Sequence, residues 1–265
     1  MLAVMKRCSL AVTLMLALYS AGVAQNQRTA FEYYQEGSRA FVEQRFDRAI
    51  EALKQSIALD PKQVGAVRLL GLCYVLTGQL NEAESQFKDA CRLAPNDAEG
   101  WFYLGRLYHV QNFFDKALNA LQTAMKLSPN EARIREILAL NYVAIGDVTA
   151  AEHEYQRAVQ FGQQPKTLPL NYGALLLKLN RPSESEPLLV RAAKEMPALW
   201  EARFELGKLY YQTERFEAAL KELKAALASS PKPDEASRTH GLMAVVYSRL
   251  GLQDKARLAA AAAEK

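Results

Sequence analysis

Histidine and cysteine, the side chains that most often serve as proton carriers, nucleophiles and metal ligands, are few in this sequence of 265 residues. The three histidines, His109, His153 and His240, lie far apart, and His153 stands between two glutamates on a helix face predicted to be solvated. The chain also lacks a glycine-rich phosphate loop and the H-E-x-x-H, G-x-S-x-G and C-x-x-C motifs. We therefore predict a non-enzymatic protein with no catalytic residues, no metal site and no cofactor.

Two of the three cysteines, Cys73 and Cys91, lie in the body of the chain, whereas Cys8 lies in the N-terminal segment. A disulfide between Cys73 and Cys91 would join two helices that meet at a turn near Gly78, five residues from one cysteine and thirteen from the other. At 1.5 Å per residue the axial offset is roughly 12 Å, which exceeds the Cα separation of a disulfide. Both cysteines are therefore expected to be small buried side chains.

The elements that must position any functional surface are clearest from Ala98 to Glu131. Two apolar patterns with helical spacing lie on either side of Asn112, and Pro129 closes the segment. Such a helical hairpin cannot bury its own outer faces, so it needs a neighbour on each side. The first helix places Trp101, Leu104, Gly105 and Tyr108 on one face, and the second helix places Ala117, Leu121 and Ala124.

The neighbours come from a repeat of 34 residues, in which a small residue, an aromatic residue and an alanine recur in register. A closing proline recurs as well, and only Gln163 interrupts that row. The pattern W-x2-L-G-x2-Y, then A-x3-F/L-x2-A, then P, resembles the tetratricopeptide repeat. The recurring positions hold Gly37, Gly71, Gly105, Ala139, Gly173 and Gly207; Tyr74, Tyr108, Tyr142, Leu176 and Tyr210; and Ala49, Ala83, Ala117, Ala151, Ser185 and Ala219.

The resemblance implies an all-α fold, a right-handed superhelical solenoid of about seven helical hairpins. The array covers residues 30–265, with repeats starting near residues 30, 64, 98, 132, 166, 200 and 237, the last after a three-residue insertion. Contacts between adjacent repeats, rather than one central core, stabilise such an array. Residues that tolerate the left-handed conformation occupy five hairpin turns, and Gln44 and Glu214 are the exceptions. The five are Gly78, Asn112, Gly146, Asn180 and Gly251.

Residues 161–187 form an irregular joint, because the sequence of residues 161–165 replaces the usual closing proline and three further prolines follow. Pro169 falls in the first turn of a helix, where proline is tolerated, but Pro187 falls deeper in the next helix. We therefore expect that helix to begin late, near Ser185, which would cap it. The joint is either a hinge between repeats 1–4 and repeats 5–7 or a tolerated local irregularity, and we favour the second interpretation.

Residues 1–24 have the features of a signal peptide: a charged start, an apolar run from Leu10 to Leu18, and small residues before the end. Cleavage is predicted before Gln25, which leaves residues 25–29 as a flexible lead. The predicted location is therefore periplasmic or secreted, with no stable membrane insertion after cleavage. The alternative is an uncleaved N-terminal membrane anchor, although the apolar stretch is short for a span.

The net charge of +4 falls to +2 without the two basic residues of the signal segment, which is too little to indicate nucleic-acid binding. In tetratricopeptide repeat proteins, the first helix of each repeat lines a concave groove. The equivalent positions here hold seven Arg or Lys and three Glu, together with aromatic and apolar residues. We therefore predict a protein or peptide ligand that is acidic and partly apolar. The groove candidates are Arg68, Phe102, Arg106, His109, Phe204, Lys208 and Tyr211, with repeat 3 as the expected centre.

Successive first helices are instead expected to bury four apolar residues at groove positions, namely Leu72, Val75, Leu140 and Val143.

The resemblance also allows one familiar function to be tested, because chaperone-binding members hold a C-terminal carboxylate with lysine and asparagine. Arg68 and Tyr103 stand at two of the equivalent positions, so that clamp is absent.

The predicted function is a scaffold that binds a peptide or protein segment in its concave groove, in the bacterial cell envelope. The alternative is an adaptor subunit of an envelope machine for polysaccharide export, pilus assembly or outer-membrane biogenesis. An enzyme is the remaining alternative, and the absence of a clustered nucleophile, base or metal set argues against it.

Overall fold

The computed structural model describes residues 28–229 and 231–264, so the predicted signal segment and its cleavage site lie outside the described residues. Within these ranges the chain forms fourteen α-helices and no β-strand, which confirms the prediction of an all-α solenoid of helical hairpins. The helices are α1 Ala30–Val42, α2 Phe46–Leu59, α3 Val64–Leu76, α4 Leu80–Leu93, α5 Ala98–Val110, α6 Phe114–Leu127, α7 Ala132–Ile145, α8 Val148–Ala158, α9 Leu168–Lys178, α10 Pro182–Glu195, α11 Trp200–Gln212, α12 Phe216–Ala228, α13 Pro233–Arg249 and α14 Gln253–Ala263.

The chain divides into two compact units, Met1–Leu107 and Tyr108–Lys265. In the described part of the first unit, α1 to α4 pack in sequential order, each helix on the next. In the second unit, α6 to α14 do the same, and α7, α9, α11 and α13, the first helices of their hairpins, also contact one another. The apolar core of each unit therefore lies between adjacent helices, as expected for a repeat array.

All seven hairpin turns place one residue in the left-handed conformation, including the two turns without glycine or asparagine. Gln44 and Glu214 have φ angles of 58° and 59°. Arg215 N donates to Tyr210 O at 2.8 Å, which closes the turn around Glu214, and every other hairpin has the equivalent bond. The geometry of the repeat therefore overrides the preference of L residues for negative φ. The other five left-handed residues are the predicted Gly78, Asn112, Gly146, Asn180 and Gly251.

Close contact within a hairpin requires the repeated glycine of the first helix. A Cβ on Gly207 would lie 2.8 Å from Leu223 Cγ, and a Cβ on Gly71 would lie 2.6 Å from a ring carbon of Phe87. Real Cβ atoms essentially never approach so closely. The glycines thereby let Leu223 and Phe87 reach exposures of only 0% and 1%.

The irregular connection is confined to residues 159–167, between α8 and α9. Phe161 packs against the neighbouring apolar cluster, and the guanidinium of Arg135 lies 5.7 Å from the centre of its ring. Gln164 Nε2 also donates to Val159 O at 2.6 Å. These contacts hold the segment against its neighbours, and the interpretation of the joint as a local irregularity stays a prediction.

The helix α10 begins at Pro182, so the expectation of a late start near Ser185 is wrong. Proline at the first helical position removes an N–H that has no helical partner in any case. Pro187 lies inside the helix and removes only the bond to the carbonyl of Ser183, which is exposed and can be hydrated. Ser185 is buried, and its hydroxyl donates to Gly173 O at 2.7 Å across the hairpin instead of capping the helix.

The two ends of the described array also differ from the sequence-based boundaries. Thr29 is the N-cap of α1 rather than part of a flexible lead, because it and Glu32 form a reciprocal capping box. At the other end, the three inserted residues are helical. The helix α13 begins at Pro233, four residues before the predicted start of repeat 7, and is 17 residues long. The helix-start signal at Pro233 therefore extends α13 toward the N-terminus, whereas α1 begins at the predicted Ala30 and gains only its cap.

Candidate partner-binding groove

An open groove of about 520 Å³ lies in the second unit, where the first helices α7, α9 and α11 are neighbours. Its position follows from the repeat, because Ala174 stands where the adjacent repeats carry Leu140 and Lys208. The short alanine side chain leaves a hollow between the longer ones. The groove is lined by Leu140, Val143, Tyr155, Asn171, Ala174, Leu175, Leu177, Lys178, Asn180, Glu205, Lys208 and Gln212.

The floor of the groove is mainly apolar. Leu175 and Leu177 are buried, whereas Leu140 and Val143 are only half-buried and line the open space. The sequence pattern predicts that Leu140 and Val143 are buried between successive first helices, and their partial exposure corrects this prediction. Part of each side chain stays uncovered because Ala174, at the facing position of the next repeat, is too short to reach over them.

Two lysines stand at the rim of the groove. Lys178, the last residue of α9, is exposed and forms no ion pair with any residue of the two described ranges. Lys208 Nζ lies 3.1 Å from Glu205 Oε2, in a pair whose side chains are 38% and 17% exposed. The rim therefore carries two ammonium groups and one carboxylate, and this excess of positive charge suits an acidic partner.

A buried polar cluster lies beneath this floor, where α7, α8 and α9 meet. Glu136 is 3% exposed, and Asn171 Nδ2 donates to its Oε1 at 2.7 Å. Burial raises the pKa of Glu136, against the opposing effect of hydrogen bonds from Thr167 and Asn171. Burial, with a further contribution from the charge of Glu136, also raises the pKa of Tyr155. Tyr155 therefore keeps its proton and remains a hydrogen-bond donor.

Tyr155 is not among the residues predicted from the sequence, although the repeat contains a signal for it. Its register position on the second helix is a core position, where repeats 1–3, 5 and 6 have leucine or phenylalanine. A tyrosine there brings a hydroxyl group into a place that otherwise holds only apolar side chains. The equivalent residues are Leu53, Phe87, Leu121, Leu189 and Leu223, and all are 0% or 1% exposed.

In the first unit, three predicted groove residues have different environments. Arg68 donates to Asp97, and the two side chains are 29% and 30% exposed, so its charge is already neutralised. Arg106 is exposed and has no hydrogen bond or ion pair with the part of the chain that the structure describes. Phe102 is only 4% exposed, and its ring centroid lies 5.2 Å from that of Tyr103. This corrects the prediction for Phe102, because a ring packed in this way offers no surface to a partner.

His109, the next candidate, is held inside the second unit. Its Nδ1 lies 3.3 Å from Asn141 Oδ1, and Asn141 is fully buried. Asn141 Nδ2 donates to Phe114 O at 3.0 Å, which leaves Asn141 Oδ1 to accept from the imidazole. His109 therefore links α5 to α7 and is half-buried, so one of its ring nitrogens already has a structural partner.

Two aromatic candidates, Phe204 and Tyr211, pack within the second unit. Phe204 is 7% exposed, stacks on Trp200 at 4.7 Å, and has the guanidinium of Arg238 5.1 Å from its ring centre. Phe204 is thus corrected from a groove contact to a core residue. Tyr211 is half-buried, with its ring 6.2 Å from Phe216. Of the seven predicted residues, the groove lining includes Lys208.

The remaining reactive side chains do not form a second site. Cys73 and Cys91 are free and buried, and burial raises the pKa of each thiol to about 11, so both stay protonated. Among residues 28–229 and 231–264, no three His, Cys, Asp or Glu side chains are grouped so that they could hold a metal ion.

Comparison with family models gives one consistent result. A model described as "Tetratricopeptide repeat" matches residues 40–107 and 176–246, and a second model with the same description matches residues 98–131. The matched segments together cover more than half of the chain and include α11, one of the three first helices that line the groove.

The individual relatives have low sequence identity to this chain. The BBSome complex member BBS4 of Bos taurus is 25% identical over 193 residues, which cover 69% of this chain and about a third, 35%, of the length of that relative. A chain of the APC/C hetero-tetramer Cut9–Hcn1 has a TM-score of 0.76 at 18% identity, over 88% of this chain and 46% of that one. PilW, a type IV pilus biogenesis factor, has a TM-score of 0.67 at 17% identity, over 74% and 90%. Identities this low in the solved structures show a shared fold alone.

Proposed function

The chain belongs to the tetratricopeptide repeat family, and on that premise we propose that it is a non-enzymatic scaffold which binds a partner protein in the groove of α7, α9 and α11. The repeat fold itself supports a role in protein–protein interaction. The observation that carries the finer proposal is the open groove of about 520 Å³ with an apolar floor and two lysines at its rim.

The proposed occupant is an extended or helical segment that is partly apolar and acidic. Its apolar side chains would cover Leu140 and Val143, and burying the exposed half of each contributes about 1 kcal/mol. Its acidic side chains would lie near Lys178 and Lys208. Because Lys178 is exposed and Lys208 is partly exposed, their main effects are on the rate of association and on specificity.

The proposed location is the bacterial cell envelope, as a periplasmic or secreted protein. Support comes from the signal-like residues 1–24. In the described ranges, none of the helices combines the length and apolar composition needed to cross a bilayer. Mass spectrometry of the protein from its native host tests the location. A first residue of Gln25 supports the proposal, whereas an intact Met1 in the membrane fraction supports the anchor alternative.

Affinity capture with a charge-reversed groove tests the partner-binding proposal. The variant Lys178→Glu/Lys208→Glu is expected to lower partner capture from envelope extracts at least ten-fold, because it turns the rim from positive to negative. The matched control is Lys126→Glu/Lys194→Glu, which reverses two exposed lysines on the second helices α6 and α10. The control should capture the same partner as the unchanged protein.

Equal capture by both double variants would overturn the groove proposal. The separate variant Arg106→Glu tests repeat 3, the centre expected from the sequence, since Arg106 is exposed. If chemical crosslinking instead finds one fixed membrane complex that is insensitive to all these charge changes, the adaptor alternative is favoured.

A further inference from the structure

The hydroxyl of Tyr155 is a polar group that the packing of the repeat does not explain. Tyr155 is 0% exposed, and its hydroxyl has no hydrogen-bond partner in the described part of the chain. Its ring stacks on Tyr172 with centroids 5.3 Å apart, and a phenylalanine would fill the same space. Because Tyr155 also contributes to the lining of the groove, a bound molecule is a natural partner for this donor.

Asn171 supplies a second polar atom at the same place. Asn171 turns its Nδ2 toward Glu136 and donates to Oε1 at 2.7 Å, since the amide nitrogen only donates hydrogen bonds. Its Oδ1 then points elsewhere and accepts no hydrogen bond from residues within the described ranges. Asn171 is half-buried and lines the groove. Glu136 therefore acts as a positioning residue that fixes which end of the Asn171 amide is an acceptor.

We propose that Tyr155 and Asn171 form a subsite for an amide group of the bound segment. The Tyr155 O–H donates to the amide oxygen, and Asn171 Oδ1 accepts from the amide N–H. This inference rests on the proposed function of the groove and adds the chemical group that its floor recognises. The hydroxyl is buried although Tyr155 contributes to the lining, so binding requires rotamer changes among the lining side chains, which are common at interfaces.

The charge distribution favours an amide over a carboxylate in this subsite. A carboxylate has no N–H to give to Asn171, and it would place a second negative charge near buried Glu136. The acidic side chains of the partner are therefore left to Lys178 and Lys208 at the rim. The amide belongs either to the main chain of the partner or to an asparagine or glutamine side chain.

Titration with small probes tests the chemistry directly. N-methylacetamide, propionamide and sodium propionate are added to the protein beginning at Gln25, and the methyl NMR signals of Leu140 and Val143 are followed. Saturable shifts are expected with at least one of the amides, and at least five-fold weaker binding with propionate. Tighter binding of N-methylacetamide assigns the subsite to a main-chain amide, and tighter binding of propionamide assigns it to a side chain. Propionate binding as tightly as both amides, or no saturable amide shift, overturns the proposal.

The variant Tyr155→Phe removes one oxygen atom and keeps the ring. Amide binding should weaken about five-fold, the effect of one lost hydrogen bond, while the melting temperature stays equal or rises because an unpartnered hydroxyl is gone. Tyr172→Phe is the matched control, because its ring stacks on Tyr155 but does not line the groove. Unchanged amide binding by Tyr155→Phe, or a fall in stability without an effect on binding, would show that the hydroxyl is not a recognition group.

Failure of this subsite and failure of the groove function give different results. If the amides do not bind but Lys178→Glu/Lys208→Glu still abolishes partner capture, the amide subsite is rejected and the groove function stands. If the rim variant also captures the partner normally, both proposals are rejected.

Discussion

Arg135 and Glu154 form a buried ion pair, with Arg135 Nη1 2.5 Å from Glu154 Oε2 and side-chain exposures of 8% and 9%. The same guanidinium donates to Pro129 O through Nε at 3.2 Å and through Nη2 at 2.7 Å. It also lies against the ring of Phe161. One arginine thus connects the turn before α7, the helix α8 and residues 159–167, where the repeat lacks its closing proline.

Replacement of Arg135 by methionine is expected to destabilise the protein by about 3–5 kcal/mol, because it leaves the buried Glu154 carboxylate with only the His153 imidazole, 3.2 Å away, as an ion-pair partner. Urea unfolding measures the change. Arg191→Met is the control, since Arg191 pairs with Glu195 on the surface and should cost no more than about 1 kcal/mol. The double variant Arg135→Met/Glu154→Met should recover much of the loss, and equal effects of Arg135→Met and Arg191→Met would contradict the prediction.

The stability contribution of Glu136 is expected to depend on pH. Burial raises its pKa above the unfolded value of about 4.3, so the folded state holds the proton more tightly. The favourable contribution is therefore complete below the unfolded pKa and is lost as pH rises through the folded pKa. Glu136→Gln should be more stable than the unchanged protein at pH 7, and the difference should shrink toward pH 4.

Urea midpoints measured between pH 4 and pH 7 test this dependence on Glu136. The control is Glu217→Gln on α12, an exposed glutamate whose replacement should leave the pH dependence of stability unchanged. The stability difference between Glu136→Gln and the unchanged protein is measured at both pH values. If this difference favours the variant less at pH 7 than at pH 4, the pH dependence has the opposite sign and the argument is rejected.

Glycine at a strained turn should stabilise the second unit. Glu214 has a φ of 59°, which costs an L residue roughly 1–2 kcal/mol. Glu214→Gly should therefore gain about 0.5–1 kcal/mol after the larger chain entropy of unfolded glycine is subtracted. Asn180→Gly makes the same change at φ 58°, and its gain should be smaller because asparagine tolerates this conformation. Thermal melts that show no gain, or a larger gain for Asn180→Gly, would count against this account.

Two glycines inside helices should respond to alanine in opposite directions. Gly207→Ala is expected to destabilise by about 1–3 kcal/mol, because the new methyl group would lie 2.8 Å from Leu223 Cγ. Gly241→Ala on α13 meets nothing within 4 Å and should stabilise by about 0.5–1 kcal/mol through helix propensity. Chemical denaturation of both variants provides the comparison, and changes of the same sign would refute it.

The two buried thiols should be inert in the folded protein. Burial raises the pKa of Cys73 and Cys91 to about 11, so few thiolates form at pH 8. Labelling with a chromogenic disulfide reagent should therefore be slow in native buffer and rapid in guanidinium chloride. Fast labelling of either cysteine in the native state would contradict the buried assignment.

The regular part of the fold could be predicted because each repeat buries equivalent helix faces against its neighbours. The helices α3, α5 and α7 begin at Val64, Ala98 and Ala132, as the 34-residue spacing predicts. Sequence rules failed where tertiary contacts outweighed a local signal. Pro187 suggested a late helix start, but its lost hydrogen bond falls on Ser183, an exposed residue. Glu214 is a poor left-handed residue, yet the hydrogen bonds of the hairpin hold it there.

The sequence by itself determined the family, the all-α fold, the hairpin register and the face of each first helix that is free for a groove. Periodicity encodes these properties, since every residue on one helix face shares one spacing. Only the tertiary structure decided which of those residues are open. Phe102 and Phe204 are covered by neighbouring rings, whereas Leu140 and Val143 stay accessible beside the short Ala174. The spacing of residues along one helix does not show how deeply the next helix packs against it. That packing depth determines the position of the groove, which Tyr155 helps to line.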